Sequence, residues 1–120
     1  MEEFKEKPVV FSMQYVIDTL NIYNYGAETF GGVQAKKYEE VIDKITTELA
    51  LCYWMYPECR YIHTKGRIYR NIILESHLII YRVNTERIEV LSVIHSQSSI
   101  SHIQELIRVA LQPKVMASVN

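Results

Sequence analysis

Six basic residues fall within one stretch of the chain, where they could meet an anion. Residues 51–120 carry five acids and eight bases, a balance of +3, and residues 1–50 carry nine acids and five bases, a balance of −4. The bases between positions 60 and 87 are Arg60, Lys65, Arg67, Arg70, Arg82 and Arg87. Such a local field favours an anion or an acidic partner. The alternative is a solvated sheet face, and the net charge of −1 is far from that of a dedicated nucleic-acid binder.

Histidine is the residue type whose ordinary pKa lets it move protons near neutral pH. The four histidines are too scattered for a metal site: His63, His77, His95 and His102. His95 follows an apolar run and precedes a polar segment, so it is either a functional group or a hydrogen bonder at a strand end. Cys52 and Cys59 have no matching second pair, which predicts two free thiols. We therefore expect no metal and no cofactor.

The composition is that of one soluble globular domain. The chain has 120 residues, of which 48% are hydrophobic and 22% charged, enough for a single core. No apolar run approaches the ~18 residues of a membrane span. The charged start is not followed by an apolar signal segment. We expect one domain over residues 1–120, located in the cytoplasm and not bound to a membrane.

Two helices are predicted after a short strand at residues 8–12. Ser12 can cap the first helix, which we expect from Met13 to Tyr25 with a stop at Gly26. Five apolar residues share one face of this helix: Met13, Val16, Ile17, Leu20 and Tyr23. In the second helix the apolar residues Tyr38, Ile42, Ile45 and Leu49 repeat at i, i+4, i+7 and i+11, and Pro57 is its latest end. A glycine loop joins the two as an antiparallel hairpin.

Beyond Gly66 the pattern changes to that of strands. Runs of strand-forming residues at 68–74, 77–83 and 87–94 are separated by short polar breaks, which predicts a three-stranded antiparallel meander. Helical spacing then returns, with Ser101 and Gln104 as a capping box. We expect a short C-terminal helix at about 101–111, ended by Pro113, and a tail at 112–120. This order predicts an α+β fold whose sheet buries one face under the helical hairpin.

The element order and several spaced residues resemble the RelE/ParE family, the toxins of type II toxin–antitoxin (plasmid stabilisation) systems. The resemblance covers about residues 9–100. In helix one, it is carried by an acid with an apolar residue four positions on and a tyrosine seven positions on. A Phe-Gly pair follows, with a tyrosine seven residues after the glycine, and then a proline and a basic residue after helix two. Each of the three meander strands also carries a family motif. These residues are Asp18, Ile22, Tyr25, Phe30-Gly31, Tyr38, Pro57, Arg60, Tyr69-Arg70, Ile80-Tyr81-Arg82-Val83 and Val93-Ile94-His95.

The ribonuclease branch of this family cuts messenger RNA on the ribosome. Cleavage through the 2'-hydroxyl needs a base, an acid and cations for the phosphorane charge. The resemblance implies an Arg on the second meander strand, further basic residues, and an Arg or a His-Tyr pair near the end of the last. Here the second-strand position is His77-Leu78, and only serines and Gln97 follow His95. A nuclease would be left with His95, Arg67, Arg70 and Arg82, so the sequence favours a protein that is not an enzyme.

The ParE branch lacks that set and inhibits DNA gyrase by protein–protein contact. From this resemblance we expect a gyrase inhibitor that arrests growth, with Arg67, Arg70, Arg82 and His95 contacting the target. We also expect a cognate antitoxin partner, in a hetero-oligomer with the toxin or beside a toxin homodimer. Two alternatives stay open. One is a nuclease acting on messenger RNA at the ribosome. The other is a member without toxicity that only binds a partner, because the basic residues that many ParE members carry after the terminal His are missing.

Overall fold

The computed structural model describes residues 5–110 and 116–118, which form an α+β fold. The elements in chain order are β1 (Val9–Ser12), α1 (Met13–Phe30), α2 (Gly32–Cys52), β2 (Tyr69–Ile73), β3 (His77–Val83), β4 (Ile88–His95), α3 (Ile100–Ala110) and β5 (Met116–Ser118). The predicted fold class and element order are confirmed. One strand, β5, was not predicted.

The five strands form one mixed sheet in the order β2-β3-β4-β1-β5. Strands β2, β3 and β4 are the predicted antiparallel meander, and β1 runs parallel to β4. Strand β5 pairs antiparallel with β1, so the predicted tail at 112–120 contains part of the sheet. It covers an edge of β1 that would otherwise expose unpaired backbone groups. The predicted helix stop at Pro113 lies outside the described residues.

Helix α1 runs more than a turn past its predicted end. Gly26 does not stop it and lies within the helix, facing α2, where a Cβ would be in ordinary contact with the Cβ of Ala35 at 3.4 Å. The helix ends at Phe30, and Gly31 takes a φ of 94° that favours glycine. At α3 the cap is Ser99, whose Oγ accepts from the His102 N–H at 3.2 Å, and not Ser101. No helix in the described chain has the length and apolarity of a membrane span.

The sheet is buried on both faces: the predicted burial of one face under the helical hairpin is confirmed, and the second buried face was not predicted. The α1–α2 hairpin packs on one face, around a core that includes Tyr15, Ile42, Leu49, Ile79, Tyr81 and Val93. Helix α3 and the segment before β2 pack on the other, around Cys59, Ile80, Leu91, Ile94, Ile103 and Ile107. In β4 every residue except His95 is consequently buried, whereas a strand with one wet face would alternate.

Along the side of β4 that faces β1, some of the hydrogen-bond partners are side chains. Strand β1 pairs with β4 only as far as Phe11 opposite Val90. Beyond that point Ser12 Oγ donates to the carbonyl of Leu91 at 2.5 Å. The carboxylate of Asp18 then accepts from the Ser92 hydroxyl at 2.5 Å and from the Val93 N–H at 3.0 Å. Ser12 also caps α1 as predicted, by accepting from the Tyr15 N–H. Helix α1 is thus bonded to β4 where β1 has ended.

These bonds decide which face of α1 points inward. Tyr15 is buried, and Asp18 and Ile22 are half-buried. Leu20 lies about 140° around the helix axis from Tyr15, at ~100° per residue. Most of the apolar face found in the sequence therefore points outward, with exposures of 47% for Met13, 45% for Val16, 45% for Ile17 and 59% for Leu20. The spacing identified an apolar face, but not the one that packs on the sheet.

We predict that Asp18→Ala lowers the free energy of unfolding by about 2–3 kcal/mol, because it leaves the Ser92 hydroxyl and the Val93 N–H without their acceptor. Asp18→Asn retains an acceptor oxygen and should lose less. Denaturant unfolding measures both variants. Gln14→Ala, which removes only a donor to Asp18, is the control. Equal losses for Ala and Asn at position 18 would contradict the assigned bonds.

The same carboxyl group predicts a dependence on pH. Burial is the largest effect on Asp18 and raises its pKa above the ordinary value, against three hydrogen bonds that lower it. A pKa that is higher in the folded than in the unfolded chain contributes stability that is lost as pH rises through the folded value. Relative to Asp18→Asn, the wild type should therefore gain stability as pH falls through that folded pKa. A constant difference across acid pH would refute this.

Candidate functional site

Two histidines and a tyrosine meet at one end of the sheet. His77, the first residue of β3, lies opposite His95, the last residue of β4, with ring centres 5.4 Å apart. The Oη of Tyr38, from α2, is 2.8 Å from His77 Nδ1. His95 is exposed, and its Nδ1 accepts from the Gln97 N–H at 3.2 Å. His95 is thus a hydrogen bonder at a strand end that also has a second histidine as its neighbour.

A β-bulge brings these histidines together. From the turn outward, β3 and β4 pair Val83 with Ile88 and Tyr81 with Val90, but then Ile80 pairs with Ser92 and Leu91 is the extra residue. Without this bulge His77 would face Ile94, and His95 would point to the other face. Sequence reasoning set His77 aside. A signal for the pair was present in the sequence, because His77 begins one strand of the predicted hairpin and His95 ends the next.

The surroundings keep His77 neutral. Burial, and secondly the nearby His95, lower the pKa of His77 below its ordinary value, so the uncharged ring dominates at neutral pH. Burial raises the pKa of Tyr38, and Glu75 raises it further, against a backbone hydrogen bond from Ser76 that lowers it. The tyrosine therefore keeps its proton. This cluster could relay a proton, and neither His77 nor Tyr38 carries a charge at neutral pH.

The predicted arginines are not gathered around His95. Arg70 pairs with Tyr81 and Arg82 follows Tyr81 along β3, so the two arginine side chains leave opposite faces of the sheet. Arg82 is also at the far end of β3 from His77, about 17 Å away at ~3.4 Å per residue. Across the described residues, these arginines and His95 do not form a set with an acid–base group beside a cation.

Arg82 belongs to a buried ion pair near the β3–β4 turn. Glu89 is only 1% exposed. Its Oε1 accepts from Arg82 Nε and Nη2, both at 2.5 Å, and its Oε2 accepts from Arg87 Nε at 2.9 Å and Nη2 at 2.6 Å. A buried carboxylate needs such partners, because an uncompensated buried charge is strongly destabilising. Arg82 and Arg87 therefore hold the hairpin together.

Arg70 also serves the fold. Its Nη1 donates to the carbonyl of Tyr56 at 2.6 Å and to that of Trp54 at 3.4 Å. These two carbonyls accept the hydrogen bonds of the guanidinium. Because Tyr56 and Trp54 follow α2, Arg70 ties the segment after this helix to β2.

Arg67 is placed differently. Its side chain is exposed, and its backbone has a φ of 53° in the turn that begins at Thr64. A non-glycine residue in this left-handed region costs about 1–3 kcal/mol. The turn holds it there through the Arg67 N–H, which donates to the Thr64 carbonyl at 3.1 Å, and the Ile68 N–H, which donates to Thr64 Oγ1 at 3.2 Å. Of the three predicted arginines, Arg67 is the exposed one, and Arg70 and Arg82 are half-buried.

A groove of about 420 Å³ lies between α1 and α2. Ile22, Ala35 and Ile42 contribute apolar surface to it, and its α2 wall carries Glu39, Glu40 and Asp43. Thr19 and Tyr23 line its α1 side. On a helix they are i+3 neighbours of Val16 and Leu20, so the groove adjoins the exposed apolar residues of α1. We call the exposed residues Met13, Val16, Ile17 and Leu20 the apolar strip of α1. An apolar strip beside an acidic groove wall is suited to binding a polypeptide.

The sequence matches the family model described as "ParE toxin of type II toxin-antitoxin system, parDE" over residues 9–100, more than half of the chain. This chain belongs to the ParE toxin family. The match confirms the predicted family, its ParE branch and the predicted range. A search of curated proteins finds no relative of this ParE-family chain.

A solved structure supports the fold of this ParE-family protein. It is titled "Chromosomal ParDE TA system from P. aeruginosa", and its chain is similar with a TM-score of 0.63 and 18% identity, over 75% of this chain and 96% of that chain. At this identity the likeness shows a common fold. Which residues contact a target stays a prediction.

For the histidine cluster of this ParE-family protein, we predict that His77 titrates below the ordinary pKa of a histidine. His95→Gln should raise the pKa of His77 by removing the electrostatic effect of the His95 ring, although burial would still hold it below that value. The pH dependence of the imidazole C–H signals in NMR measures this. An unchanged His77 titration in His95→Gln would show that the two rings are not coupled.

For the buried ion pair, we predict that Glu89→Gln lowers the free energy of unfolding by about 3–5 kcal/mol, because two arginines lose their counter-charge. Arg87→Gln should cost less, since the Arg87 side chain is 42% exposed. Denaturant unfolding of both variants tests this. A loss below about 1 kcal/mol for Glu89→Gln would contradict a structural role for the pair.

Proposed function

We propose that this ParE-family toxin acts by binding DNA gyrase in the cytoplasm, without chemistry of its own, and that a cognate antitoxin neutralises it. The observation that carries the proposal is the exposed apolar strip on α1 beside the α1–α2 groove. Contiguous exposed apolar surface is typical of protein–protein contacts. A toxin that works by contact, and that is held inactive by contact, needs such surface.

The positions of the basic residues support binding over catalysis. Arg70 and Arg82 are hydrogen bonded within the fold, and Arg82 lies far along the sheet from His95. Stabilising a phosphorane would require cations close to the acid–base group. The family match supports the same choice, because it is to the ParE toxin.

Arg67 is our candidate for a direct contact with the target. Its exposed guanidinium stands on a turn whose backbone is strained, and strain of this kind is found where function requires a particular geometry. His95 is the other exposed residue of the predicted set. Arg70 and Arg82 contribute indirectly. Arg82 stabilises the β3–β4 hairpin, and Arg70 holds the segment after α2 on β2.

Messenger-RNA cleavage is the second candidate, and one observation favours it. His95 has His77 as a neighbour, and Tyr38 is hydrogen bonded to His77. The uncharged form of the His77 ring dominates at neutral pH because its pKa is lowered. One neutral and one exposed histidine could serve as base and acid in attack by a 2'-hydroxyl. The distance of the predicted arginines from His95 counts against this candidate.

We predict that expression without the antitoxin stops bacterial growth, with filaments and an induced DNA-damage response but intact bulk translation. Arg67→Asn should weaken this toxicity without lowering stability, because asparagine tolerates the left-handed backbone conformation better than arginine. Growth curves, a DNA-damage reporter, amino-acid incorporation and thermal unfolding of the two proteins measure these effects. Purified gyrase should also be inhibited by the wild type and less by Arg67→Asn.

Other outcomes would overturn parts of the proposal. Collapse of translation with cut messages, abolished by His95→Gln, would establish the nuclease in place of gyrase inhibition. Normal growth at a verified protein level would identify a member without toxicity that serves as a binding partner. Full toxicity in Arg67→Asn would remove Arg67 from the contact surface but leave gyrase as the target.

A further inference from the structure

Three exposed cations stand on the segment between α2 and β2. Residues 57–68, which we call the basic turn, contain three bases and one acid, a balance of +2. The three bases, Arg60, Lys65 and Arg67, are all exposed. Within the described residues none of them has an ion-pair partner. The positive charge of the basic turn is therefore available to a ligand.

The one acid of the basic turn, Glu58, holds the backbone and does not neutralise the cations. Its side chain is 24% exposed, and its Oε1 lies 3.5 Å from His63 Nδ1. Its Oε2 accepts from the Thr64 N–H at 3.4 Å. The carboxylate is thus directed at the inside of the loop, while the three cations point to solvent.

The backbone of the basic turn is held in place from several sides. The Arg60 N–H donates to Asn71 Oδ1, on β2, at 3.1 Å. The Tyr61 carbonyl accepts from Gln104 Nε2, on α3, at 3.0 Å. The far side of the loop is closed by the strained turn at Thr64 described above. Cations on a fixed backbone lose less conformational freedom when they bind, so less of the binding free energy is spent on ordering them.

The composition of this surface indicates the class of ligand. Between residues 56 and 72, all of which the structure describes, no large apolar side chain is exposed. Protein–protein interfaces have an apolar and aromatic centre, and proteins that bind single-stranded nucleic acids stack the bases on exposed aromatic rings. Tyr61 is half-buried and its carbonyl is held by α3. Exposed cations without apolar or aromatic neighbours fit the phosphate backbone of a duplex.

The adjoining β3–β4 turn limits the extent of the positive surface. The Val83 N–H donates to the Ile68 carbonyl at 2.8 Å, which places this turn beside the basic turn. Residues 82–89 hold two bases and two acids, which are Arg82, Arg87, Glu86 and Glu89. They add no net charge. The surface therefore consists of three cations, enough to contact about three phosphates.

We propose that the basic turn binds the phosphate backbone of duplex DNA, through Arg60, Lys65 and Arg67. The chain as a whole has a net charge of −1, so three contacts give only weak binding to free DNA. A toxin held on gyrase would meet the DNA that this enzyme holds at a high effective concentration, and a weak contact is then sufficient. The inference rests on the proposed gyrase target for this source of DNA, but the contact itself can be tested without gyrase.

The test measures binding of the full chain to a short fluorescent DNA duplex of mixed sequence, by anisotropy over a series of salt concentrations. For the wild type, the logarithm of the association constant should fall against the logarithm of the salt concentration with a slope of about −3, since each neutralised phosphate contributes about −0.9. Arg60→Gln/Lys65→Gln should weaken binding about ten-fold at low salt and make the slope shallower by about two.

Lys37→Gln/Lys44→Gln is the matched control, because it removes the same charge from exposed positions of α2. Its salt slope should equal that of the wild type. Thermal unfolding verifies that both double variants are folded. In a supercoiling assay with purified gyrase, Arg60→Gln/Lys65→Gln should inhibit less than the wild type and the control should inhibit equally.

Equal losses of DNA affinity in the two double variants would show that net charge controls binding, and would overturn the role of the basic turn. No DNA binding by the wild type at low salt would overturn the inference, while inhibition of gyrase by the same protein would keep the proposed function. DNA binding without inhibition of gyrase would overturn the proposed target and leave the DNA contact. Tighter binding to an RNA duplex of the same sequence would overturn DNA as the ligand. Unchanged DNA affinity in Arg60→Gln/Lys65→Gln, with weaker binding to gyrase alone, would assign the basic turn to an acidic protein surface instead.

Discussion

The edge of β4 beyond Val90 is the constraint on which the rest of this structure depends. Strand β1 ends at Ser12, and the backbone groups of the following part of β4 still need partners, because buried unpaired N–H and C=O groups are costly. Ser12 and Asp18 supply them from the chain that has just turned into α1. A short strand and a long helix can therefore share one edge of the sheet. The helix is fixed in rotation as well as position.

That fixed rotation separates the structural surface of α1 from its exposed surface. Tyr15 must enter the core and Asp18 must reach β4, so Leu20 and its apolar neighbours are turned outward. A purely structural helix would be expected to bury such a strip, since apolar burial is the main driving force of folding. Its exposure in a toxin-family protein is understandable if a partner covers it.

Charged residues follow a similar division of roles. The basic stretch looked like one field in the sequence, but Arg82 and Arg87 neutralise the buried Glu89, and Arg70 binds carbonyls after α2. Fewer basic side chains therefore remain to contact a target than the charge count suggests, and Arg67 is the clearest of them. The histidine pair shows the opposite case, because two residues far apart in sequence become neighbours through the single extra residue at Leu91.

The sequence by itself determined the order of the elements, the meander, the hairpin and the family. These follow from local periodicity, turn residues and caps, which act over a few residues and can be recognised in a linear chain. Only the tertiary structure decided the second buried face of the sheet, the outward rotation of α1, the partners of Arg70 and Arg82, and the meeting of His77 with His95. Each of these depends on a bulge, a strand edge or contacts between segments, such as the bond from Ser92 to Asp18 across a separation of 74 residues. Local spacing does not encode which polar group will be nearest once the chain has folded, so the site could be predicted only by residue type and not by arrangement.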